Sequence, residues 1–289
     1  MRRVQLTGSR SVVTGAGSGI GRATALHFAA KGAEVACVDI DADSAAETAS
    51  RCSELGPTAS SWTCDVSDAD AVRGLAAQIE ADAGPVDVLV NNAGVGVGGP
   101  FLETTIEDWD WLIGINLGGV AYGCHAFGAA MVERGRGHIV NVASGAAYIM
   151  SRDMAAYCAS KAGVVAFSRC LRADWAASGV GVSAICPGVI NTPIAANSRL
   201  VGSLGARQEK IARAFRFAHS PTIVAHAIAD AVVKNKELVP VGFESALAYR
   251  VLPFIPRRVQ GLAARTQLGR LASIRTPLNR RIGAKGRFR

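Results

Sequence analysis

A run of glycines, Thr14-Gly15-Ala16-Gly17-Ser18-Gly19-Ile20-Gly21, follows a β-rich stretch at 11–14 and opens a helical pattern that continues to about residue 30. A strand that turns through glycine into a helix brings free N–H groups and bare backbone to one point, which suits a phosphate. The spacing is Gly15-x-x-x-Gly19-x-Gly21 rather than G-x-G-x-x-G, so an ordinary glycine-rich βα loop is the competing reading. The same unit then repeats along the chain. Short β-rich runs at 34–38, 60–64, 86–90, 138–142, 180–185 and 238–241 alternate with amphipathic stretches at 43–55, 69–83, 105–132, 155–177 and 221–234. This rhythm predicts βαβ units: an α/β fold with a doubly wound parallel sheet in three α/β/α layers.

Composition matters mainly where it is uneven. With 49% hydrophobic residues the 289-residue chain can bury a large core. The net charge of +8 is concentrated at one end, because residues 250–289 hold eleven Lys/Arg and no Asp or Glu. The remaining 249 residues hold 20 basic and 23 acidic groups, a net of −3. Seven cysteines without C-x-x-C spacing point to reduced thiols rather than disulfides. No His/Cys/Asp/Glu cluster has metal spacing, and no catalytic metal is expected. No apolar run follows Met1-Arg2-Arg3, so a cytoplasmic location is expected. Residues 111–132 lack charge over nearly the length of a membrane span. Five glycines, Asn116 and His125 within that stretch favour a helix buried between helices.

Four positions suggest chemistry. Asp39 closes the second predicted strand, 24 residues after Gly15, where a carboxylate can bind adenosine ribose hydroxyls and repel a 2′-phosphate. NAD is therefore expected over NADP, with Ser18 supplying no cation for that phosphate and Arg22 as the nearby base. Tyr157 and Lys161 are four apart on a predicted helix and share a face. An ammonium and a cationic nicotinamide there are expected to lower the phenol's pKa by roughly 1–3 units, towards useful acid–base chemistry. Ser144 ends a predicted strand thirteen residues earlier and could hydrogen-bond a substrate oxygen. Asp39 and the Tyr157–Lys161 pair also have plain structural readings, a solvated carboxylate and a stacked surface pair.

With these residues in order, residues 8–243 resemble the short-chain dehydrogenase/reductase family. The matching segments are Thr14-Gly15-x-x-x-Gly19-x-Gly21, Cys64-Asp65-Val66, Asn91-Asn92-Ala93-Gly94, Asn116, Ser144, Tyr157-x-x-x-Lys161 and Pro187-Gly188 with Thr192. The resemblance implies a Rossmann fold and hydride exchange between NAD(H) and an alcohol or ketone. It implies Tyr157 as acid or base and Lys161 as nicotinamide-ribose ligand and pKa modulator. Ser144 would orient the substrate, and Asn116 would hold a water linking the lysine to solvent. Gly15, Ser18, Gly19, Ile20, Gly21, Asp39, Asp65, Val66, Asn92, Ala93, Gly94, Pro187, Gly188, Ile190 and Thr192 would surround the cofactor. Asp65 has a helix cap as its alternative. His125 and His138 match nothing catalytic and read as structural. The other class of function is a non-catalytic NAD-sensing or membrane-scaffolding protein, against which an intact Ser144–Tyr157–Lys161 set argues.

The resemblance covers a domain at 1–243 and leaves an extension at 244–289. There, leucines, valines and Phe254 alternate with arginines and are broken by Pro253 and Pro256. It is too interrupted to cross a bilayer. It is expected to lie on an anionic membrane surface at the inner face, with packing on the protein's own body as the alternative; nucleic-acid binding is disfavoured. The family resemblance implies a homodimer or homotetramer through the helices near 105–132 and 155–177. The membrane-like extension, with Ile149 and Met150 near the expected substrate entrance, points to an apolar, lipid-, steroid- or retinoid-like substrate.

Overall fold

A computed structural model describes residues 4–265. Seven strands form its main sheet: β1 (Arg10–Thr14), β2 (Glu34–Asp39), β3 (Ala59–Thr63), β4 (Val88–Asn91), β6 (Gly137–Val142), β7 (Val180–Pro187) and β9 (Leu238–Val241). They are all parallel, in the order β3-β2-β1-β4-β6-β7-β9. A second sheet of two short strands, β5 (Val97–Gly98) and β8 (Arg199–Leu200), stands apart. The helices are α1 (Gly19–Ala29), α2 (Ala42–Ser53), α3 (Ala69–Ala83), α4 (Ile106–Ile113), α5 (Gly119–Arg134), α6 (Ala155–Asp174), α7 (Gly202–Gly205), α8 (Gln208–Phe215), α9 (Pro221–Lys234), α10 (Phe243–Val251) and α11 (Arg257–Ala264).

Period-2 alternation along buried strands sorts the core into two layers. Val13, Val88, Val90 and Val140 face Phe28 of α1 and Ile228 of α9. Their neighbours Val12, Leu89 and Ile139 face Leu75 of α3, Phe127 and Met131 of α5 and Val164 of α6. The predicted three-layer doubly wound sheet is thus the observed architecture. Local signals set the helix boundaries. Asp41 accepts from Asp43 N and Ser44 N at the start of α2, and Thr105 accepts from Asp108 N at the start of α4. Gly135 and Asn235 close α5 and α9 in the left-handed conformation.

One predicted element is divided. The helix expected at 105–132 is α4, a π-helical turn at Gly114–Gly118 and then α5. The wider turn carries Asn116, whose side chain bonds Val95 across the interior. No helix among the described residues is long and apolar enough to cross a membrane. Residues 266–289 of the predicted extension lie outside the described residues. The strand order reverses between β1 and β4, and ligands of open α/β sheets bind beyond the strand ends at such a point.

Candidate active site

Both sides of that reversal carry candidate residues. Gly15 leaves β1 at φ 64, and a Cβ there would stand 2.9 Å from Ala93 Cα. A Cβ at Gly21 would meet Gly15 O at 2.0 Å, so α1 starts in contact with the turn. From β4, Asn92 N and Ala93 N donate to Thr14 Oγ1 at 3.0 and 3.1 Å, and Asn92 Nδ2 donates to Thr14 O at 2.9 Å. Asn92 therefore locks the two strand ends together. Asp39 Oδ2 accepts from Gly17 N at 2.7 Å, which sets a carboxylate against the turn. Arg22 is held by both oxygens of Glu47, at 3.0 and 2.9 Å. Thr192 stands over Gly19, 3.0 Å from where a Cβ would lie. Ser18 is exposed and makes no side-chain cap bond, while Ile20 packs on the core.

This set fits a dinucleotide: a cradle that side chains would fill, a helix N-terminus for the pyrophosphate, and a carboxylate placed for ribose hydroxyls. Asp65 and Val66 lie just past β3, beside Asp39, whose carbonyl accepts from Cys64 N at 3.0 Å. Asp65 Oδ1 closes its own turn on Ser67 N at 2.9 Å, whereas Asp68 caps α3. Val66 packs over Gly119. Pro187 ends β7, Gly188 N donates to Val241 O at 2.8 Å, and Ile190 is buried.

The proton-transfer candidates meet beyond β6 and β4. Lys161, 4% exposed, donates from Nζ to Val142 O at 3.0 Å and lies 6.0 Å from the Tyr157 ring centroid. Burial brings its pKa down to about 8. Burial pushes the Tyr157 phenol up, and a hydrogen bond with Ser144 pulls the other way. Among the protein's own groups desolvation outweighs the Ser144 bond, because the ammonium points to a carbonyl; the depression expected of the ammonium together with a cationic nicotinamide belongs to the cofactor complex. Asn116 is fully buried; it accepts from Val95 N at 2.8 Å and donates to Val95 O at 3.0 Å and Ser160 Oγ at 3.2 Å. Gly94 is wedged at this junction, where a Cβ would lie 3.2 Å from Asn116 Oδ1 and 3.4 Å from Lys161 Nζ. Ser144, Tyr157, Lys161 and Asn116 therefore cluster, and Gly94 joins them to the glycine turn through Asn92.

The short chain dehydrogenase family pattern matches residues 10–200. The chain belongs to that family. It is 44% identical over 259 residues to the probable oxidoreductase EphD of Mycobacterium tuberculosis; the match covers 87% of this chain and only 44% of that protein. D-Threitol dehydrogenase of Mycolicibacterium smegmatis is 39% identical over 240 residues, covering 81% of this chain and 92% of the relative. Among solved structures, a short chain dehydrogenase/reductase from Burkholderia phymatum in complex with NAD superposes with TM-score 0.81 at 30% identity, covering 91% and 97% of the two chains. A metagenomic short-chain oxidoreductase in complex with NADP gives TM-score 0.68 at 32% identity, covering 82% and 97%.

The same site includes residues that carry no sequence motif. Ser245 on α10 is buried, donates to Cys186 O at 2.7 Å and bonds the Tyr148 hydroxyl. Glu244 accepts from Val189 N at 2.8 Å and meets His219 Nε2 at 3.1 Å. His219 N in turn donates to Val189 O at 3.2 Å, and its carbonyl accepts from Asn191 N at 2.8 Å. The first turn of α10 thus braces the segment after β7 and the segment after Ser144. Leu200, Leu204 and Met154 close on Gly98 of β5. Only the tertiary fold joins these positions; two-residue strands have no readable period. His138 donates or accepts at Ser183 Oγ, 2.8 Å, deep in the sheet, and His125 lies exposed on α5. Among the described residues no group of three or more His, Cys, Asp or Glu could hold a metal ion.

Proposed function

We propose that the chain is an NAD(H)-linked oxidoreductase interconverting a secondary alcohol and a ketone on an apolar substrate. The observation that carries the reading is the convergence of Ser144, Tyr157 and Lys161 beside the glycine turn. A bound nicotinamide supplies or accepts the hydride. Ser144 holds the substrate oxygen, and Tyr157 donates a proton to it in reduction or removes one in oxidation. A phenol raised by burial stays protonated at neutral pH, which suits the reductive direction. Lys161, with a pKa near 8, keeps much of its charge at neutral pH and stabilises the phenolate left behind. Asn116 orders the loop at Val95 against α6, and so acts as a positioning residue.

Asp39 at the turn supports NAD over NADP, as does Arg22, which Glu47 already holds. Exposed Ile149 and Met150, with Leu200, Leu204 and Met154 nearby in the fold, support an apolar substrate. The 39% identity to D-threitol dehydrogenase favours a polyol as the second reading. We assign 1–243 to the catalytic domain, with Glu244 and Ser245 bracing it from the start of α10, the rest of 244–289 to a peripheral extension on an anionic inner-membrane face, and assembly to a dimer or tetramer.

Initial rates with NADH and NADPH, on tridecanone, cyclohexanone and the ketose of threitol, test these points. At least a tenfold preference for NADH, and for tridecanone over the sugar, is expected. Equal use of the two nucleotides sinks the Asp39 argument, and preference for the sugar selects the polyol. Tight NADH binding without turnover on the panel identifies a sensor.

A further inference from the structure

The C-terminal helices hold large apolar side chains out in water. Phe243, Leu247, Val251, Phe254, Val259 and Leu262 are all exposed, Phe243 by 74% and Phe254 by 87%. Single exposed apolar residues are ordinary, but five on two successive short helices, with Phe254 in the turn between them, make a patch that needs a partner.

Three contacts fix these helices beside the segment after Ser144, where the proposed substrate enters. Arg152 N donates to Ala264 O at 2.8 Å, which ties the end of α11 to the loop ahead of α6. The Tyr249 ring lies 5.6 Å from that of Tyr148, and Ser245 bonds the Tyr148 hydroxyl. Tyr148 is followed by Ile149 and Met150, exposed by 37% and 54%, and lies four positions beyond Ser144. The apolar surface of the extension is therefore adjacent to that of the entrance.

The charges left without an ion-pair partner around it have one sign. Arg250, Arg257, Arg258 and Arg265 are exposed, and none forms an ion pair among the described residues. The neighbouring carboxylates are engaged, Asp153 by Arg152 and Glu244 by Val189 N and His219. From residue 250 to the last residue the sequence holds eleven basic groups and no acidic one.

We infer that α10 and α11, together with Ile149 and Met150, form one docking face for an anionic lipid bilayer, so that an apolar substrate passes from the bilayer to Tyr157 without crossing bulk water. This rests on the apolar-substrate reading above. Helices of nine and eight residues cannot span a bilayer and can lie in its surface, with apolar side chains inserted and arginines at the head groups. A second copy of the chain would bring the same arginines to a symmetric contact, whereas anionic head groups complement them.

The test uses the full chain, the Phe254→Ser/Leu262→Ser variant and the Arg257→Glu/Arg258→Glu variant. Each is sedimented with phosphatidylglycerol and with phosphatidylcholine vesicles. Turnover is followed on cyclohexanone in water and on tridecanone carried in phosphatidylglycerol vesicles. The native chain is expected to sediment with phosphatidylglycerol alone. Both variants should lose at least tenfold in vesicle binding and in tridecanone turnover, while cyclohexanone kcat/KM stays within twofold. Vesicle binding undiminished in the Phe254/Leu262 variant overturns the inference, because the contact then lies elsewhere in the extension. A fall in oligomer mass in that variant also overturns it, by showing that a second copy covers the face. Failure of the substrate reading has its own signature: the native chain reduces cyclohexanone but not tridecanone in neutral detergent micelles, and delivery then falls whatever the vesicles show.

Discussion

Tyr157 gathers the reaction onto one oxygen. Its phenol is raised by burial, and the only group drawing it downward among the causes of its shift is Ser144. Replacing it with Phe keeps the ring and removes the proton. Loss of a positioned general acid costs about 10²–10⁴ in rate, and Tyr157→Phe is expected to lower kcat by that range. Because Phe preserves the packing, the NADH dissociation constant should stay within threefold. Stopped-flow hydride transfer and NADH fluorescence titration on the same preparation separate the two effects. A kcat within fivefold of the native value would move proton transfer to another group. The same residue marks a limit of sequence reading. The pair Tyr157 and Lys161 is visible as a four-residue spacing, but the sign of the phenol's shift is not. It depends on how completely β6, α5 and α6 exclude water, and on Lys161 pointing to Val142 O.

At the scale of elements, the π turn between α4 and α5 does the positioning. Asn116 meets Val95 N, Val95 O and Ser160 Oγ from a fully buried place. Asn116→Leu leaves Val95 N and Val95 O without their partner, while Ser160 Oγ keeps its bond to Tyr157 O, and each unsatisfied buried group costs about 1–3 kcal/mol. A net destabilisation of about 2–4 kcal/mol is expected, together with a fall in kcat because the loop ahead of Val95 borders Lys161. Urea unfolding and turnover of one preparation check both; a stability loss below about 1 kcal/mol would show that the turn closes without its amide. The strands and main helices were legible because period-2 and amphipathic runs are local signals, punctuated by caps such as Asp41 and Gly135. The π turn was not, since a helix through 105–132 has the same apolar pattern with or without one added residue per turn. Nor were the Ser245–Tyr148 and Glu244–His219 contacts, which join positions far apart in sequence. The boundary placed at residue 243 follows the last strand pattern, but α10 begins there and at once bonds the strand ends at Cys186 and Val189.

The whole molecule carries a built-in acid limit, set by histidines that the fold keeps neutral. His138, 2% exposed between β6 and β7, is pushed down to about 3, by burial first and then by the charge of Arg172. His27, stacked on His226 with centroids 4.2 Å apart, is also lowered, by burial first and then by His226 and Lys31. A histidine whose folded pKa lies below its unfolded value of about 6.5 contributes stability that is complete above that value. That stability is lost as pH falls, for His138 all the way to about 3. Each pH unit within the window is worth about 1.4 kcal/mol, so His138 alone removes about 2 kcal/mol between pH 7 and 5. Lys161, lowered only to about 8, is charged at both ends of that interval and leaves the slope unchanged. Depressed carboxylates such as Asp230 act only at lower pH. Denaturant midpoints at pH 7 and 5 should therefore show a loss in the native chain that His138→Gln reduces by about 2 kcal/mol, since glutamine cannot titrate. An equal loss in both proteins would place the acid limit at His27 or at surface charge instead of at His138.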